Sequence, residues 1–293
     1  MVDQLTYTPP LSAITGNEGP AETLLREQVE LIKRAADDKR ITGLVIKLND
    51  LQGGGISKIN ELGQAIEQFK QTGKPVIAYG DLLDQQQYLL ASFADEVFIH
   101  DMGGVGITGF AMYRNYFKQL IDKLGVNVHV FKSGTFKDFV EPYIRTDMSE
   151  PSREHNEAWV GALWQYYSEQ IETRRQLEPG ALDNYINQLP VNLAQYNGDS
   201  AKLAKDQNLV DHIGSKQQLI DYLSEKFGQG DKKRAFNFIA WQRYQQDMLL
   251  ANLQKTGNIG LIVASGNILD GEQPEGAIGL SLIHISEPTR RHL

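Results

Sequence analysis

The sequence contains no cysteine and few histidines. Without thiols the chain cannot form disulfides, use a cysteine nucleophile, or bind zinc or iron–sulfur clusters through sulfur. The histidines are His100, His129, His155, His212, His284 and His292. Because no two of them have the i, i+4 spacing of a helical metal site, we expect neither a metal ion nor a cofactor. The compartment stays open, since reducing and oxidising compartments both accept a chain without cysteine.

Basic residues are fewer than acidic ones. Lysine and arginine number 29 against 37 aspartates and glutamates, which gives a net charge of −8 and a pI near 5.3. Nucleic-acid surfaces need clustered positive charge, and the one basic run, DKKR at residues 231–234, is short and mixed. We therefore expect no nucleic-acid partner.

Long apolar runs are absent as well. No stretch approaches the roughly 18 residues that a membrane-spanning helix needs, and residues 1–16 lack the charged start and apolar centre of a signal peptide. The composition, 41% hydrophobic and 23% charged, is that of a soluble globular protein. The length allows one large domain or two ordinary ones.

Short apolar segments alternate with amphipathic ones up to about residue 134. The predicted strands are residues 41–50, 74–80, 95–101 and 127–134, and the predicted helices are residues 21–38, 56–73, 86–94 and 113–125. Strands and helices that alternate in this way predict right-handed βαβ units and a parallel sheet covered on both faces. The fold class is therefore predicted to be α/β.

From Ser149 the pattern becomes helical. Ser149 suits an N-cap and Pro151 the first turn of a long helix. Residues 190–227 also have a helical pattern, interrupted at residues 208–215. The segment 228–234 is the best candidate for a linker, because glycine and charge replace the apolar pattern there.

The last residues do not continue any pattern. LSLIHISEPTRRHL, residues 280–293, follows Gly279 without a cap, a turn or a periodic partner. Its first eleven residues match one reading frame of a transposase adapter used in sequencing libraries. We therefore expect residues 280–293 to be adapter-derived rather than a natural tail, and we exclude them from the fold prediction.

Two glycine-rich segments allow either an anion-binding loop or a turn. Gly53–Gly55 lies between a predicted strand and a predicted helix, and further glycines lie within residues 103–109. Neither segment has the spacing of a dinucleotide site or the ending of a P-loop. An ordinary turn is favoured for Gly53–Gly55, and the second segment stays open.

One lysine stands among apolar residues. In GTFKDFVEPY, residues 134–143, Lys137 lies between Phe136 and Phe139. Such a lysine is either a surface residue whose aliphatic stem covers apolar neighbours or a nearly neutral amine that can take a proton. The pattern leaves both open, and no G-x-S-x-G nucleophile elbow accompanies it.

Several segments together resemble one family. They are ITGLVIKLND, GKPVIAYGDLLDQQQYLLASFADEVFIH, GVNVHVFKSGTFKDFVEPYIRTDMSEPSREHNEAWVGALWQYY, LVDHIGS and GNIGLIVASGNILDGEQPEGAIG. They resemble the long, two-domain form of the signal peptide peptidase SppA (protease IV) family of serine–lysine peptidases, over nearly all of residues 20–279. The resemblance implies a ClpP/crotonase-like α/β fold with repeated ββα units.

The resemblance implies that Lys137 is the catalytic general base. A serine hydroxyl attacks a peptide carbonyl only when something removes its proton, and a lysine can do so when burial disfavours the ammonium form. Asp138 and Phe139 stand where the family usually has Ser and Ala. We expect a carboxylate at position 138 to favour the ammonium form of the lysine.

The resemblance places the nucleophilic serine in a second half. Gln85 occupies the corresponding place in this half, so we expect residues 1–227 to be a degenerate peptidase domain without its first strand and membrane anchor. Residues 228–257 are then a linker, and residues 258–279 begin the serine-bearing domain. This fragment alone is expected to be inactive. Nothing places the possible substitutes, Ser133 and Ser149, on a nucleophile elbow.

The complete protein implied by the resemblance is an endopeptidase that degrades cleaved signal peptides. It would lie at the inner membrane, facing the periplasm, and would form homo-oligomers. Two alternatives are weighed against it. A crotonase-like acyl-CoA enzyme would need an acidic catalytic residue near a CoA pocket, and a non-catalytic scaffold domain would need no catalytic residue at all.

Overall fold

A computed structural model describes Met1 and residues 22–231, 235–252, 267–269 and 277–279, with side chains up to Asp247. The helices are α1 (Leu25–Asp37), α2 (Gly55–Lys70), α3 (Gln85–Ala91), α4 (Lys118–Lys123), α5 (Glu141–Ile144), α6 (Glu150–Arg175), α7 (Ala181–Asn187), α8 (Leu189–Gln195), α9 (Ser200–Asp206), α10 (Lys216–Phe227) and α11 (Trp241–Asn252). The strands are β1 (Leu44–Lys47), β2 (Val76–Asp84), β3 (Glu96–Gly106), β4 (His212–Ile213), β5 (Asn267–Leu269) and β6 (Ala277–Gly279).

Four strands form one parallel sheet in the order β1-β2-β3-β4. In the β3–β4 pair Phe98 lies opposite His212, and Ile99 lies opposite Ile213. Residues between the strands form helices, as βαβ units require. The α/β fold class predicted from the sequence is confirmed.

The chain divides into two compact units. One contains Met1–Ala78, Phe93–Asp95 and Lys216–Leu293, and the other contains Tyr79–Ser92 and Glu96–Ser215.

The first unit has helix α2 in its core. The helix predicted at residues 56–73 is confirmed as α2, and its apolar face is buried, with Ile59, Leu62, Ile66 and Phe69 in the core. Gly63 on the same helix lies so close to the ring of Phe93 that a Cβ atom there would be 2.2 Å from a ring carbon. A larger residue at position 63 would therefore separate α2 from Phe93.

The second unit has three buried tyrosines in its core. The hydroxyl of Tyr88 donates to the carbonyl oxygen of Leu209 at 2.7 Å, and that of Tyr185 donates to the carbonyl oxygen of Val105 at 2.9 Å. Tyr167, on α6, is also fully buried. Each side chain contributes apolar area and donates its hydroxyl proton to a backbone carbonyl oxygen of another segment.

The predicted strand at residues 127–134 is wrong. No residue from Val126 to Ser133 belongs to a helix or strand, and most are exposed. A strand is stable when its backbone pairs with a neighbour. Strand β3 lies between β2 and the two-residue strand β4, so β4 takes the place beside β3. The sequence prediction treated residues 208–215 only as an interruption between helices.

Several predictions concern residues beyond the described ranges. The adapter-derived origin of residues 280–293 is one, and the start of the serine-bearing domain, expected at residues 258–279, is for the most part another. Within that region Asn267–Leu269 pairs in parallel with Ala277–Gly279. Among the described helices, none is both long and apolar enough to cross a membrane.

Candidate active site

Lys137 lies on an irregular segment between α4 and α5. We name residues 131–140 the lysine loop. Gly134, with a φ of 105°, makes a turn in this loop that other residues adopt only with strain. The side chain of Lys137 is exposed. Within the part of the chain that the structure describes, its Nζ atom forms no hydrogen bond or ion pair.

The aromatic neighbours of Lys137 do not cover it. Phe131 is 97% exposed and Phe139 is 80% exposed, while Phe136 and Tyr143 are about half exposed. The apolar surroundings expected from the sequence are therefore present but face outward. Among the described residues, nothing removes water from the lysine amine.

Asp138 connects the lysine loop to two other segments. Its Oδ2 atom accepts a hydrogen bond of 2.5 Å from Ser152 Oγ and lies 3.2 Å from Arg114 Nη1. The same guanidinium nitrogen donates to the carbonyl oxygen of Asp138 at 3.1 Å. The Ser152 hydrogen bond, and after it the charge of Arg114, hold the pKa of the Asp138 carboxyl below its usual range.

A second carboxylate, Glu141, makes a parallel connection. It is 2% exposed and accepts hydrogen bonds from the hydroxyl and the backbone N–H of Ser149, the latter at 3.1 Å. Ser149 also caps α6, as predicted, because its hydroxyl accepts from the backbone N–H of Ser152. Both carboxylates thus lie at the first turn of α6, where the helix dipole favours negative charge.

This geometry differs from the expected effect of Asp138 on the lysine. The carboxylate points toward Arg114 and Ser152, and in the described part of the chain it makes no ion pair with Lys137. The sequence analysis did not identify Arg114, Ser152 or Glu141. The one feature of the sequence that pointed toward these contacts was the Ser149 cap. It fixes where α6 begins, and so which residues of α6 lie near the lysine loop.

Gln85, in the place where the resemblance expects a serine, is held by hydrogen bonds. Its side-chain Oε1 accepts from the backbone N–H groups of Thr108 and Gly109 at 3.0 and 2.9 Å. Its carbonyl oxygen accepts from the hydroxyl of Tyr167 at 2.8 Å. Two backbone donors on one carbonyl oxygen are also the arrangement of an oxyanion hole, but a carboxamide is not a nucleophile.

The second glycine-rich segment, Ser133 and the potential metal ligands show no arrangement of a binding or catalytic site in the described part of the chain. A Cβ atom at Gly103 would lie 1.7 Å from the carbonyl oxygen of Asp81, so this glycine permits close strand packing. Ser133 is exposed in the lysine loop. In the described part of the chain, no group of three potential metal ligands comes together.

Comparison with known proteins connects this site to a peptidase family. The profile of peptidase family S49 matches residues 68–229, which include Gln85 and Lys137. Protease 4 of Salmonella typhi is 37% identical over 258 residues, covering 88% of this chain and 41% of that protein. Protease 4 of Haemophilus influenzae is 34% identical over 279 residues, covering 94% of this chain and 45% of that protein.

More distant matches include a putative signal peptide peptidase and a solved structure of another class. A putative signal peptide peptidase SppA of Enterococcus faecium is 22% identical over 226 residues, covering 74% of this chain and 62% of that protein. A solved enoyl-CoA hydratase/carnithine racemase of Magnetospirillum magneticum covers 79% of this chain and 71% of its own at 14% identity. Its TM-score of 0.36 is too low to carry an argument.

The chain spans less than half the length of the two Protease 4 relatives. The resemblance to SppA stated from the sequence is confirmed by these relatives, and a ClpP/crotonase-like fold is consistent with them. Since the family profile matches more than half of the sequence, the chain belongs to peptidase family S49.

Proposed function

We propose that this chain is the lysine-bearing part of a serine endopeptidase that degrades cleaved signal peptides. Lys137 is the general base, and the nucleophilic serine belongs to a segment outside this sequence. The observation that carries the proposal is the position of Lys137. It lies inside the family match, on a loop joined to α6 through Asp138 and Glu141.

The chemistry assigns one proton transfer to the lysine. Its neutral amine takes the proton of the serine hydroxyl as the oxygen attacks the peptide carbonyl, and returns it to the leaving amine. A lysine does this only where its surroundings disfavour the ammonium form. Because Lys137 is exposed among the described residues, we propose that protein covering Phe136 and Phe139 supplies those surroundings.

The surroundings of Gln85 are an argument that the nucleophilic serine comes from another segment. A carboxamide whose oxygen already accepts two backbone hydrogen bonds cannot replace a hydroxyl nucleophile. The printed names of the relatives, Protease 4 and signal peptide peptidase SppA, support a peptide substrate. A location at the inner membrane facing the periplasm, and assembly into homo-oligomers, are parts of the same proposal.

A chimaera tests the role of Lys137. Residues 22–279 replace the matched segment of Salmonella typhi Protease 4, and cleavage of a fluorogenic peptide is measured. We expect Lys137→Met and Lys137→Arg both to lower kcat at least about 1,000-fold, because methionine is not a base and the guanidinium stays protonated.

The matched control is Lys123→Met, which removes an exposed lysine on α4 of the same unit. It should retain the activity of the unmodified chimaera. Circular dichroism and thermal unfolding of each variant show whether the fold is kept. Substantial activity in a folded Lys137→Arg chimaera would show that Lys137 is not the base.

A further inference from the structure

We propose that Asp138 is a positioning residue for Lys137, whose carboxylate holds the lysine loop against Arg114 and Ser152. The importance of holding Lys137 rests on the function proposed above. The connection itself is a property of this chain and can be measured without peptidase activity.

The first argument is where the lysine loop is attached. From Phe131 to Lys137 every residue is exposed. In this stretch the structure shows two weak contacts: the 3.5 Å approach of Lys132 Nζ to the carbonyl oxygen of Lys137, which stays within the loop, and a tilted contact between the rings of Phe136 and His155, whose centroids are 6.2 Å apart. The next residue, Asp138, is bound through both its carboxylate and its carbonyl oxygen. The hydrogen bonds that hold Lys137 to other segments therefore lie on its C-terminal side.

The second argument is that the partner hydroxyl is itself fixed. Ser152 is 1% exposed, and its Oγ atom accepts a hydrogen bond of 3.2 Å from Asn156 Nδ2. The amide oxygen of Asn156 in turn accepts from the indole N–H of Trp159 at 2.9 Å. The Ser152 oxygen therefore accepts a hydrogen bond from Asn156, and its hydroxyl donates to the Asp138 carboxylate. A row of side chains on α6 thus orients the group that binds the loop.

The third argument is the direction of the carboxylate. Asp138 is adjacent to Lys137 in sequence, yet its Oδ2 atom lies between a guanidinium and a hydroxyl. These donors compensate its charge at a side chain that is only 19% exposed. Asp138 thus acts on the lysine through the backbone, by fixing the loop, rather than through direct charge pairing.

Limited trypsin digestion of the 293-residue chain tests this role. Cleavage after Lys132 reports opening of the lysine loop, and cleavage after Lys205, on α9 of the same unit, reports wider unfolding. The variants are Asp138→Ala, Asp138→Asn and Ser152→Ala. Ser152→Ala is the cleanest, because it leaves the cleaved segment unchanged. The matched control is Asp122→Ala, which removes only an ion pair with Lys118 on α4.

We expect Asp138→Ala and Ser152→Ala to speed cleavage after Lys132 about tenfold, the effect of losing one charge-assisted hydrogen bond. Asp138→Asn should speed it no more than about threefold, because its amide oxygen can still accept from Ser152 or Arg114. The control should match the unmodified chain. In every variant the rate after Lys205 should stay constant.

Three results would overturn the proposal. They are equal cleavage in all variants, an Asn variant as open as the Ala variant, or a parallel rise after Lys205. In the chimaera, Asp138→Ala should lower kcat with little change in KM, and Asp138→Asn should restore most of it. An active Lys137→Met chimaera would refute the proposed function while leaving the digestion result intact, so the two failures are distinguishable.

Discussion

At the scale of single residues, the burial of Tyr185 makes the stability of the fold depend on pH. The side chain is 2% exposed, and its hydroxyl donates to the carbonyl oxygen of Val105. Burial raises the pKa of Tyr185 to about 12. Since a tyrosine in the unfolded chain titrates near pH 10, the folded state binds this proton more tightly. The resulting stabilisation is complete below about pH 10 and is lost as the pH rises toward 12.

Replacing Tyr185 with phenylalanine should therefore change the pH dependence of stability. At pH 8 we expect Tyr185→Phe to lower the free energy of unfolding by about 1 kcal/mol, since Val105 loses its donor. Between pH 10 and 12 the unmodified chain should lose about 2 kcal/mol that the variant does not lose, so the difference should shrink and reverse.

Urea unfolding from pH 8 to pH 12 measures both effects. The control is Tyr113→Phe, because Tyr113 is 93% exposed and should show no such convergence. A difference between Tyr185→Phe and the unmodified chain that stays constant across this range would contradict the assignment.

The candidate site shows what residue-level sequence analysis can and cannot give. The motif around Lys137 made this lysine the candidate base through the resemblance, because residue types at fixed spacing can be compared directly in the sequence. The partners of Asp138 were missed, since Ser152 and Arg114 lie 14 and 24 positions away. Arg114 precedes α4 and Ser152 lies on α6, and the irregular segments between these helices bring both residues to Asp138. No periodic pattern encodes such a meeting.

At the scale of elements, α6 ends on a strained residue. Gln176 has φ 54° and ψ 41°, the left-handed conformation that commonly closes a helix and that glycine adopts without cost. The following N–H, of Leu177, bonds to the carbonyl oxygen of Glu172 at 2.8 Å. The geometry is that of a glycine cap, although the residue is exposed glutamine.

Gln176→Gly should therefore stabilise the chain. We expect a gain of about 0.5 kcal/mol, because relief of the left-handed strain exceeds the extra backbone entropy of an unfolded glycine. The contrasting control is Ala162→Gly, at an exposed position inside α6, which should lower stability by about 1 kcal/mol. Urea midpoints of the two variants give the answer. A loss of stability in Gln176→Gly would show that the glutamine side chain contributes more than the strain costs.

Element prediction succeeded where a pattern was long and failed where it was short. The apolar face of α2 and the cap of α6 followed from periodicity and from the Ser149-Glu150-Pro151 start. The apolar segment at residues 127–134 resembled a strand because propensity does not reveal whether a partner is available. Strand β4 has two residues, too few for any alternating pattern, and only the sheet defines it.

At the scale of the whole molecule, family membership was the most predictable property. Matching residues are spread along the chain, so the resemblance did not depend on any one element being assigned correctly. The proposed activity is different, because the proposal relies on a serine that the resemblance places outside these residues. The exposed aromatic residues near Lys137 are consistent with a site completed by additional protein.

The 293-residue chain should therefore show no peptidase activity when incubated alone with the fluorogenic peptide. Gln85 has a carboxamide where the resemblance expects the serine, and its side-chain oxygen accepts from the backbone N–H groups of Thr108 and Gly109. The Ser149 hydroxyl donates to Glu141, and its oxygen accepts from the backbone N–H of Ser152 as the cap of α6, so the oxygen that would attack a substrate is engaged in the helix cap. The rate should equal that of buffer, while the active chimaera serves as the positive control. Turnover by the unmodified chain that disappears in Ser133→Ala would place the nucleophile in the lysine loop itself, and the division of base and serine between two segments would be wrong.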